Sequence, residues 1–325
     1  MADAAPRLMF LPIPRTIPSM DRNDLRMAVV ASALTTDARE APRLARELGF
    51  DGLLFDTYSP ALSLPDLSQS GRREFRHLLG AERRQLVGLR ADLGPKGFGP
   101  GADIDRILSL LEKAMEAAAG LQAPLLCIDL GPLPTPPPEA VSATKVTPEL
   151  AGLILLPSTV EAAPVPVWAE PATPSAADRA LAAQVDAAMI ELGSRADRFN
   201  ITVAFRSDLA PFAALERAIT RASCPWFGVD LDPVAILRDE WPIDDVFSRV
   251  GPLIRHVTGR DATKGFGHRT TPAAIGKGST NWDGLLSNLD AVGYNQWITI
   301  DPMELPDRTT AARAALKRLR PAPRV

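Results

Sequence analysis

Basic side chains concentrate in one glycine-rich stretch near the end of the chain, after an apolar segment that ends at Thr258. Its basic residues, with histidine included, are Arg260, Lys264, His268, Arg269 and Lys277. Such a stretch could hold the phosphate or carboxylate of a ligand, because ammonium and guanidinium groups bind oxyanions. His268 could also transfer a proton near neutral pH. The alternative is a charged loop that only faces solvent.

Few other residues have side chains suited to chemistry. Trp168 and Glu170 lie in a proline-rich segment and could close over a sugar ring, because an aromatic face packs well on its C–H surface. His77 falls on a basic helical segment, where we expect exposure to solvent. His256 lies in an apolar segment, and we interpret it as a hydrogen-bonded core histidine in preference to a ligand. No nucleophile elbow, phosphate loop, dinucleotide fingerprint or paired-cysteine zinc motif occurs.

Composition excludes several classes of protein. The net charge of −3 gives no basic excess of the kind that nucleic-acid binding requires. No apolar stretch reaches the roughly 20 residues of a membrane span. The start of the chain lacks a signal-peptide pattern, so we expect a cytoplasmic protein with no membrane partner. Cys127 and Cys224 both lie in apolar runs and are expected to be buried free thiols.

Alternating strand-like and helix-like segments must position these residues. Apolar runs predict eight strands, at 25–30, 52–56, 86–89, 125–130, 201–205, 226–232, 253–258 and 296–300. Helical periodicity predicts the segments between them, at 37–48, 70–82, 104–120, 175–198, 211–222, 242–250, 281–292 and 308–320. This order is typical of an α/β protein with a (β/α)8 TIM barrel, whose active site lies at the carboxyl ends of the strands.

Two segments fall outside this alternation. Residues 1–23 are interpreted as an N-terminal arm, which leaves 24–325 as a single TIM-barrel domain. Residues 132–177 contain 11 of the 31 prolines and form an insertion after the fourth strand. Its position places it at the carboxyl face of the barrel, where it could be a lid or a surface decoration.

Four stretches resemble one family, the xylose isomerase-like barrels, which include sugar phosphate isomerases and epimerases. They are "LGFDGLLFD" (48–56), "FGVDLDP" (227–233), "HVTGRDA" (256–262) and "IGKGSTNWDGLLSNLDAVGYNQWITID" (275–301). The last stretch is the most specific, with a Gly-x-Gly turn, a helix and a final carboxylate. The resemblance implies a barrel-mouth site in which a divalent ion polarises a sugar oxygen and a carboxylate moves a proton.

The residues that carry such a site are only partly retained. The resemblance implies a glutamate at the end of strand five, where this chain has Arg206, and a histidine in strand seven, where it has Thr258. Asp232 keeps the aspartate of strand six, but Ala235 stands in place of the histidine that follows it. Two further carboxylates remain, Asp261 after strand seven and Asp301 in place of the final glutamate.

Arg206 leads to a specific hypothesis. A guanidinium is always charged and forms two-pronged bonds to carboxylates. We predict that Arg206 lies between Asp232 and Asp301 in place of the ion and keeps both ionised. The alternative is that the alignment in strand five is off by one or two residues, in which case Mn²⁺, Mg²⁺ or Zn²⁺ would be bound.

The sequence therefore predicts a sugar or sugar-phosphate isomerase/epimerase-like protein with a degenerate metal site, which binds a small anionic carbohydrate at the barrel mouth. The alternative is a catalytically inactive member that binds a ligand or a protein. The predicted catalytic residues are Asp232, Asp261, Asp301 and Arg206. The predicted substrate-binding residues are Arg260, Lys264, His268, Lys277 and Trp168. We expect no cofactor, with Asp232 and Asp301 the residual metal-ligand candidates. An abasic-site endonuclease is disfavoured, because three histidines cannot supply its metal ligands, and a homo-oligomer remains open.

Overall fold

A computed structural model of the 325-residue chain describes residues 22–136, 175–206 and 209–320. Most of the predicted arm (1–23) and most of the predicted insertion (132–177), including Trp168, lie outside the described residues. Among the described helices, none is long and apolar enough to cross a membrane.

Eight parallel strands close into a barrel in the order β1-β10-β7-β6-β5-β4-β3-β2. They are β1 (Arg26–Val30), β2 (Gly52–Asp56), β3 (Gln85–Ala91), β4 (Leu125–Asp129), β5 (Thr202–Arg206), β6 (Phe227–Leu231), β7 (Ile254–Gly259) and β10 (Trp297–Ile300). The barrel closes where β1 pairs with β10, with Met27 opposite Ile298. The predicted TIM barrel is confirmed.

Helices connect successive strands and cover the outside of the barrel. They are α1 (Ala41–Leu48), α2 (Gln69–Ala81), α3 (Ile104–Leu121), α4 (Ala176–Phe199), α5 (Phe212–Arg221), α6 (Pro233–Arg238), α7 (Ile243–Val250), α8 (Trp282–Ala291) and α9 (Arg308–Leu319). Helix α3 continues through Gly120, which was predicted to end it, and Gln122 adopts the left-handed cap conformation instead. The six-residue helix α6 was not predicted, because it is too short to show helical periodicity.

Strand alternation divides the core into two layers. On β1, Met27 and Val29 pack outward into the larger cluster, which the helices share. Ala28 and Val30 pack into a smaller cluster inside the barrel, together with Cys127 of β4. Successive side chains of a strand point to opposite faces, so every second residue enters the barrel interior. Residues near the carboxyl ends of the strands therefore form the mouth.

An antiparallel ribbon follows β7. It consists of β8 (Asp261–Lys264) and β9 (Thr270–Ala273), paired with Asp261 opposite Ala273. The sequence predicts only a glycine-rich loop over 265–278, because the ribbon lacks the apolar alternation that indicates a strand. Two of the residues that were predicted to bind an anion, Lys264 and His268, lie in this ribbon or in the loop that joins its strands.

Candidate functional site

Charged side chains gather where the parallel strands end. We call these residues the mouth cluster: Asp56, Arg90, Asp129, Arg206, Asp232, Arg260 and Asp301. They come from or directly follow seven different strands, and all lie at the carboxyl end of the barrel, where this fold builds its active sites. The cluster contains three arginines and four aspartates, so most of its charge is balanced internally.

Arg206 ends β5, as the sequence predicts, and points into the mouth. Its Nε donates to Oδ2 of Asp129 at 3.1 Å and lies 4.0 Å from Oδ2 of Asp232. Asp129 ends the neighbouring strand β4 and stands opposite Arg206 in the register. The prediction of Asp301 as the second partner is wrong, because β10 is separated from β5 by two strands. Arg206 thus bridges Asp129 and Asp232.

Asp232 is almost fully buried and has both oxygens engaged. Its Oδ1 accepts from the backbone N–H of Val234 at 2.9 Å, which caps helix α6, and its Oδ2 accepts from Arg260. Arg260 also lies 3.5 Å from Glu304, whose side chain is 57 % exposed. Arg260 was predicted to belong to a basic loop that binds an anion, but the structure places it in the mouth on Asp232. Two guanidinium groups therefore face one buried carboxylate.

Asp301 lies in the other half of the mouth and pairs with Arg90, a residue that was not predicted to belong to the site. Nη1 of Arg90 donates to Asp301 at 2.6 Å, and Nε of Arg90 donates to Asp56 at 2.8 Å. Asp56 also accepts from the Ser32 hydroxyl at 2.5 Å. Burial opposes the charge on Arg90, but Asp301 and Asp56 raise the pKa of Arg90 above its ordinary value. The signal for Arg90 and Asp56 was their place at the ends of predicted strands.

Asp261, a predicted catalytic residue, has a structural position instead. Its carboxylate accepts four backbone N–H groups, from Ala262, Gly276, Gly278 and Thr280, at 2.8–3.2 Å. A Cβ on Gly278 would lie 2.2 Å from Oδ1 of Asp261, so only glycine allows this contact. The Gly-x-Gly turn that the sequence analysis noted is thus explained by Asp261. The side chain is buried in this loop and has no lone pair left for a substrate.

The remaining predicted substrate-binding residues lie on the surface. Lys264 forms an ion pair with Glu240 at 2.7 Å, with both side chains exposed. Nδ1 of exposed His268 lies 2.9 Å from the carbonyl oxygen of Arg238. Lys277 is exposed in the turn that Asp261 holds. The structure does not bring these three residues into the mouth cluster.

A second polar group lies beneath the mouth, inside the barrel. We call it the interior cluster: Cys127, Asp230, His256, Thr258 and Thr299, all of them buried. Nδ1 of His256 lies 2.7 Å from Oδ1 of Asp230, and Nε2 lies 2.7 Å from Oγ1 of Thr299. The Thr258 hydroxyl donates to Asp230 at 2.8 Å. The interpretation of His256 as a hydrogen-bonded core residue agrees with this arrangement.

The charges of the interior cluster depend on its burial and on the Asp230–His256 contact. Burial would lower the pKa of His256, but its interactions with Cys127 and Asp230 outweigh burial and raise the pKa to about 10. Burial would raise the pKa of Asp230, but His256 outweighs it and lowers the pKa to about 2. Burial raises the pKa of the Cys127 thiol. Cys224, predicted to be buried as well, is only half-buried and precedes β6.

The residues of the mouth cluster do not fit a divalent ion. A hard cation needs several oxygen ligands that converge on one point. Here Asp129 and Asp232 face Arg206, Asp232 also binds Arg260, and Asp301 binds Arg90. An ion bound by any of these carboxylates would lie beside at least one guanidinium group, which would repel it.

The chain matches a known family model but none of the curated proteins. A family model described as xylose isomerase-like TIM barrel matches residues 42–322. Comparison with the curated proteins found no match.

Several solved structures share the fold at low identity. The IOLI protein with a binding zinc atom aligns at 11 % identity and TM-score 0.66, over 91 % of this chain and 98 % of that one. D-psicose 3-epimerase from Clostridium cellulolyticum H10 aligns at 13 % and 0.64, over 91 % and 98 %. The 3-keto-D-glucoside 4-epimerase from E. coli aligns at 17 % and 0.62, over 92 % and 100 %. The family match over residues 42–322 and the closed eight-stranded barrel show that this chain belongs to the xylose isomerase-like TIM barrel family.

Proposed function

We propose that this protein binds a small carbohydrate with an anionic group at the barrel mouth, and that arginines in the mouth do the electrostatic work of a metal ion. One observation carries the proposal: Asp129, Asp232 and Asp301 are each held by a guanidinium group. A guanidinium presents donors in a fixed fork, which suits both the hydroxyl groups and the carboxylate or phosphate of a sugar derivative.

Arg260 is the residue most suited to the anionic group. Its contact with Glu304 is long, at 3.5 Å, and Glu304 is largely exposed. A long ion pair with one exposed partner contributes little, so a ligand carboxylate or phosphate can displace Glu304 at small cost. The ligand would then take a position on Arg260 beside Asp232, within the mouth. The exposed residues Lys264, His268 and Lys277 are not needed for this contact.

The known relatives favour a second candidate, an isomerase or epimerase. Two of the similar structures are sugar epimerases. Asp232 and Asp301 occupy the positions where the family places acidic residues, so one of them would have to accept a proton from a sugar carbon. Both oxygens of each carboxylate already accept a hydrogen bond, one of them from an arginine, so a proton from a sugar carbon could be accepted only after one of these contacts is broken. The geometry therefore supports binding better than proton transfer.

Binding is tested with a matched set of sugars. D-Glucose, D-glucuronate and D-glucose 6-phosphate are titrated into the full chain by isothermal titration calorimetry at low salt. We expect the two anions to bind more tightly than D-glucose. Arg260→Gln should weaken anion binding about tenfold or more, because a hydrogen bond to a charged group contributes ~1.5–3 kcal/mol. Arg269→Gln, an exposed arginine in the same ribbon region, is the control and should leave binding unchanged.

Two results would contradict the proposal. Equal affinity for the neutral and anionic sugars would exclude an anion site, and equal weakening by both variants would indicate a diffuse surface effect.

For the second candidate, D-fructose and D-fructose 6-phosphate are incubated with the protein in D2O, and hydrogen exchange at the carbons beside the carbonyl is followed by NMR. Exchange that depends on Asp232 or Asp301 would favour catalysis over binding alone.

A further inference from the structure

The interior cluster places three metal-binding atom types close together. The Cys127 sulfur, the Asp230 carboxylate and His256 each offer one ligand atom, and these atoms lie within 4.8 Å of one another. They come from β4, β6 and β7, so the cluster spans the barrel interior. Asp230 precedes Asp232 by two residues, and His256 precedes Thr258 by two. The cluster therefore lies deeper in the barrel than the mouth, and it is a separate site.

The spacing of sulfur and nitrogen matches a tetrahedral zinc site. The Cys127 sulfur lies 3.6 Å from Nδ1 of His256. Zinc bonds of ~2.3 Å to sulfur and ~2.05 Å to nitrogen at a tetrahedral angle place those two atoms ~3.6 Å apart. The Asp230 oxygen, 2.7 Å from Nδ1, is too close to the nitrogen and must move away from it. Its required separation from Nδ1 is ~3.4 Å with zinc–oxygen bonds of ~2.1 Å.

Two threonines orient two of the ligands. Oγ1 of Thr299 lies 2.7 Å from Nε2 of His256. When Nε2 carries the hydrogen and donates it to Thr299, Nδ1 has a lone pair that can bind the ion. Such an outer contact is usual for a metal-bound histidine. The Thr258 hydroxyl lies within 2.8–2.9 Å of both oxygens of Asp230. The carboxylate can therefore rotate away from Nδ1 and keep a hydrogen bond to Thr258.

The charges also balance with a divalent ion. A thiolate and a carboxylate together carry two negative charges, and the imidazole is neutral as a ligand. Binding would release two protons to solvent, the thiol proton of Cys127 and the proton shared by His256 and Asp230. The net charge of the buried cluster then stays at zero. No arginine donates a hydrogen bond to Cys127, Asp230 or His256 among the contacts found in the described residues, in contrast to the mouth carboxylates.

We propose that Cys127, Asp230 and His256 form a three-ligand site for a thiophilic divalent cation such as Zn²⁺, inside the barrel and separate from the mouth. One sulfur and one imidazole select Zn²⁺ or Co²⁺ over Mg²⁺ and Ca²⁺, which prefer oxygen ligands. The ion would join β4 to β6 and β7 and so stabilise the closed barrel. This proposal does not depend on the proposed carbohydrate binding.

Cobalt gives a readout that reports sulfur directly. The full-length protein is produced in medium supplemented with Co²⁺, its metal content is measured by mass spectrometry, and thiolate-to-cobalt charge transfer is recorded by absorption. We expect about one ion per chain and a charge-transfer band. Cys127→Ser should abolish the band, whereas Cys224→Ser, the change at the chain's other cysteine, should retain it. Asp232→Asn should also retain the ion, because it changes the mouth alone.

Several outcomes would overturn the proposal. They are an absence of bound metal in every preparation, a band lost in Cys224→Ser, and a band that persists in Cys127→Ser. An ion lost in Asp232→Asn would place the metal in the mouth, which would contradict the proposed function as well. Where Cys127→Ser fails to fold, the zinc absorption edge of the wild-type protein decides. One sulfur at ~2.3 Å supports the site, and a shell of oxygen and nitrogen alone contradicts it.

Discussion

At the scale of single residues, the mouth is defined by the way guanidinium and carboxylate groups are paired. Arg206 replaces a glutamate that the family resemblance implies, and this one exchange turns a ligand for a cation into a cation. Two more arginines, Arg90 and Arg260, form ion pairs with Asp301 and Asp232. The charge of the mouth is thus balanced by groups that belong to the chain. A ligand that enters must compete with these contacts or add to them.

The Arg206 contact yields a stability prediction. Arg206→Ala removes a guanidinium partner of Asp129 and one of the two guanidinium groups near Asp232. Because these side chains are largely buried, we expect the free energy of unfolding to fall by about 1–3 kcal/mol, measured by urea denaturation. Arg43→Ala, which breaks the exposed pair with Glu47, is the control and should cost at most about 0.5 kcal/mol. Equal losses in both variants would show that the Arg206 pairing adds nothing.

At the scale of elements, the loops between strands and helices decide which polar residues reach the mouth. Asp232 directly follows β6 and caps α6, so its position is fixed by a helix that begins at the next residue. Asp261 begins β8, and its carboxylate is turned away into the 276–280 turn. Both aspartates follow a barrel strand closely in the sequence. Only the hydrogen bonds of the adjoining element distinguish the mouth residue from the loop anchor.

Two glycine substitutions test this distinction with effects of opposite sign. In Gly278→Ala the new methyl group would collide with Asp261. We expect the free energy of unfolding to fall by about 2 kcal/mol or more, because buried hydrogen bonds are lost. Gly80→Ala meets no atom within 4 Å in helix α2 and should stabilise the protein by about 0.5–1 kcal/mol, because alanine favours helix. Urea denaturation measures both. A stable Gly278→Ala variant would show that the turn can move away from Asp261.

At the scale of the whole molecule, the barrel closes through contacts between the two ends of the described chain. Strand β1 pairs with β10, and Arg320 donates to the Asp51 carboxylate at 2.5 Å and to the carbonyl oxygen of Gly49 at 2.7 Å. The larger core cluster contains residues from all eight barrel strands or their flanking helices. No strand of a closed barrel can leave without exposing the edges of its two neighbours.

This closure predicts that the chain unfolds as one domain. Urea denaturation followed by far-ultraviolet circular dichroism and by tryptophan fluorescence should give transitions with the same midpoint. The buried tryptophans Trp241 and Trp297 both lie in the second half of the chain, so fluorescence reports on that half and circular dichroism reports on the whole barrel. Two separated transitions would contradict the single-domain assignment. A variant with Trp297→Phe should keep the coincidence, which shows that the agreement does not depend on one fluorophore.

The sequence by itself determined the architecture and part of the site. Apolar runs of strand length, helical periodicity and glycine stops are local signals, and they predicted all eight barrel strands and the place of Arg206 at the end of β5. The positions of Asp232 and Asp301 at the mouth followed from the resemblance of their segments to the xylose isomerase-like barrels. These features depend on residues a few positions apart, which is the range over which backbone preference and amphipathic spacing act.

Only the tertiary structure decided which charges meet. Arg90 and Asp301 are separated by 211 residues and Arg206 and Asp129 by 77, and the barrel register alone brings each pair together. The same register places Cys127, Asp230 and His256 around one point in the interior. A carboxylate can bind an arginine, cap a helix or anchor a loop with equal chemical ease. Its local sequence does not distinguish these partners, because the partner comes from a distant strand whose position is fixed only when the barrel closes.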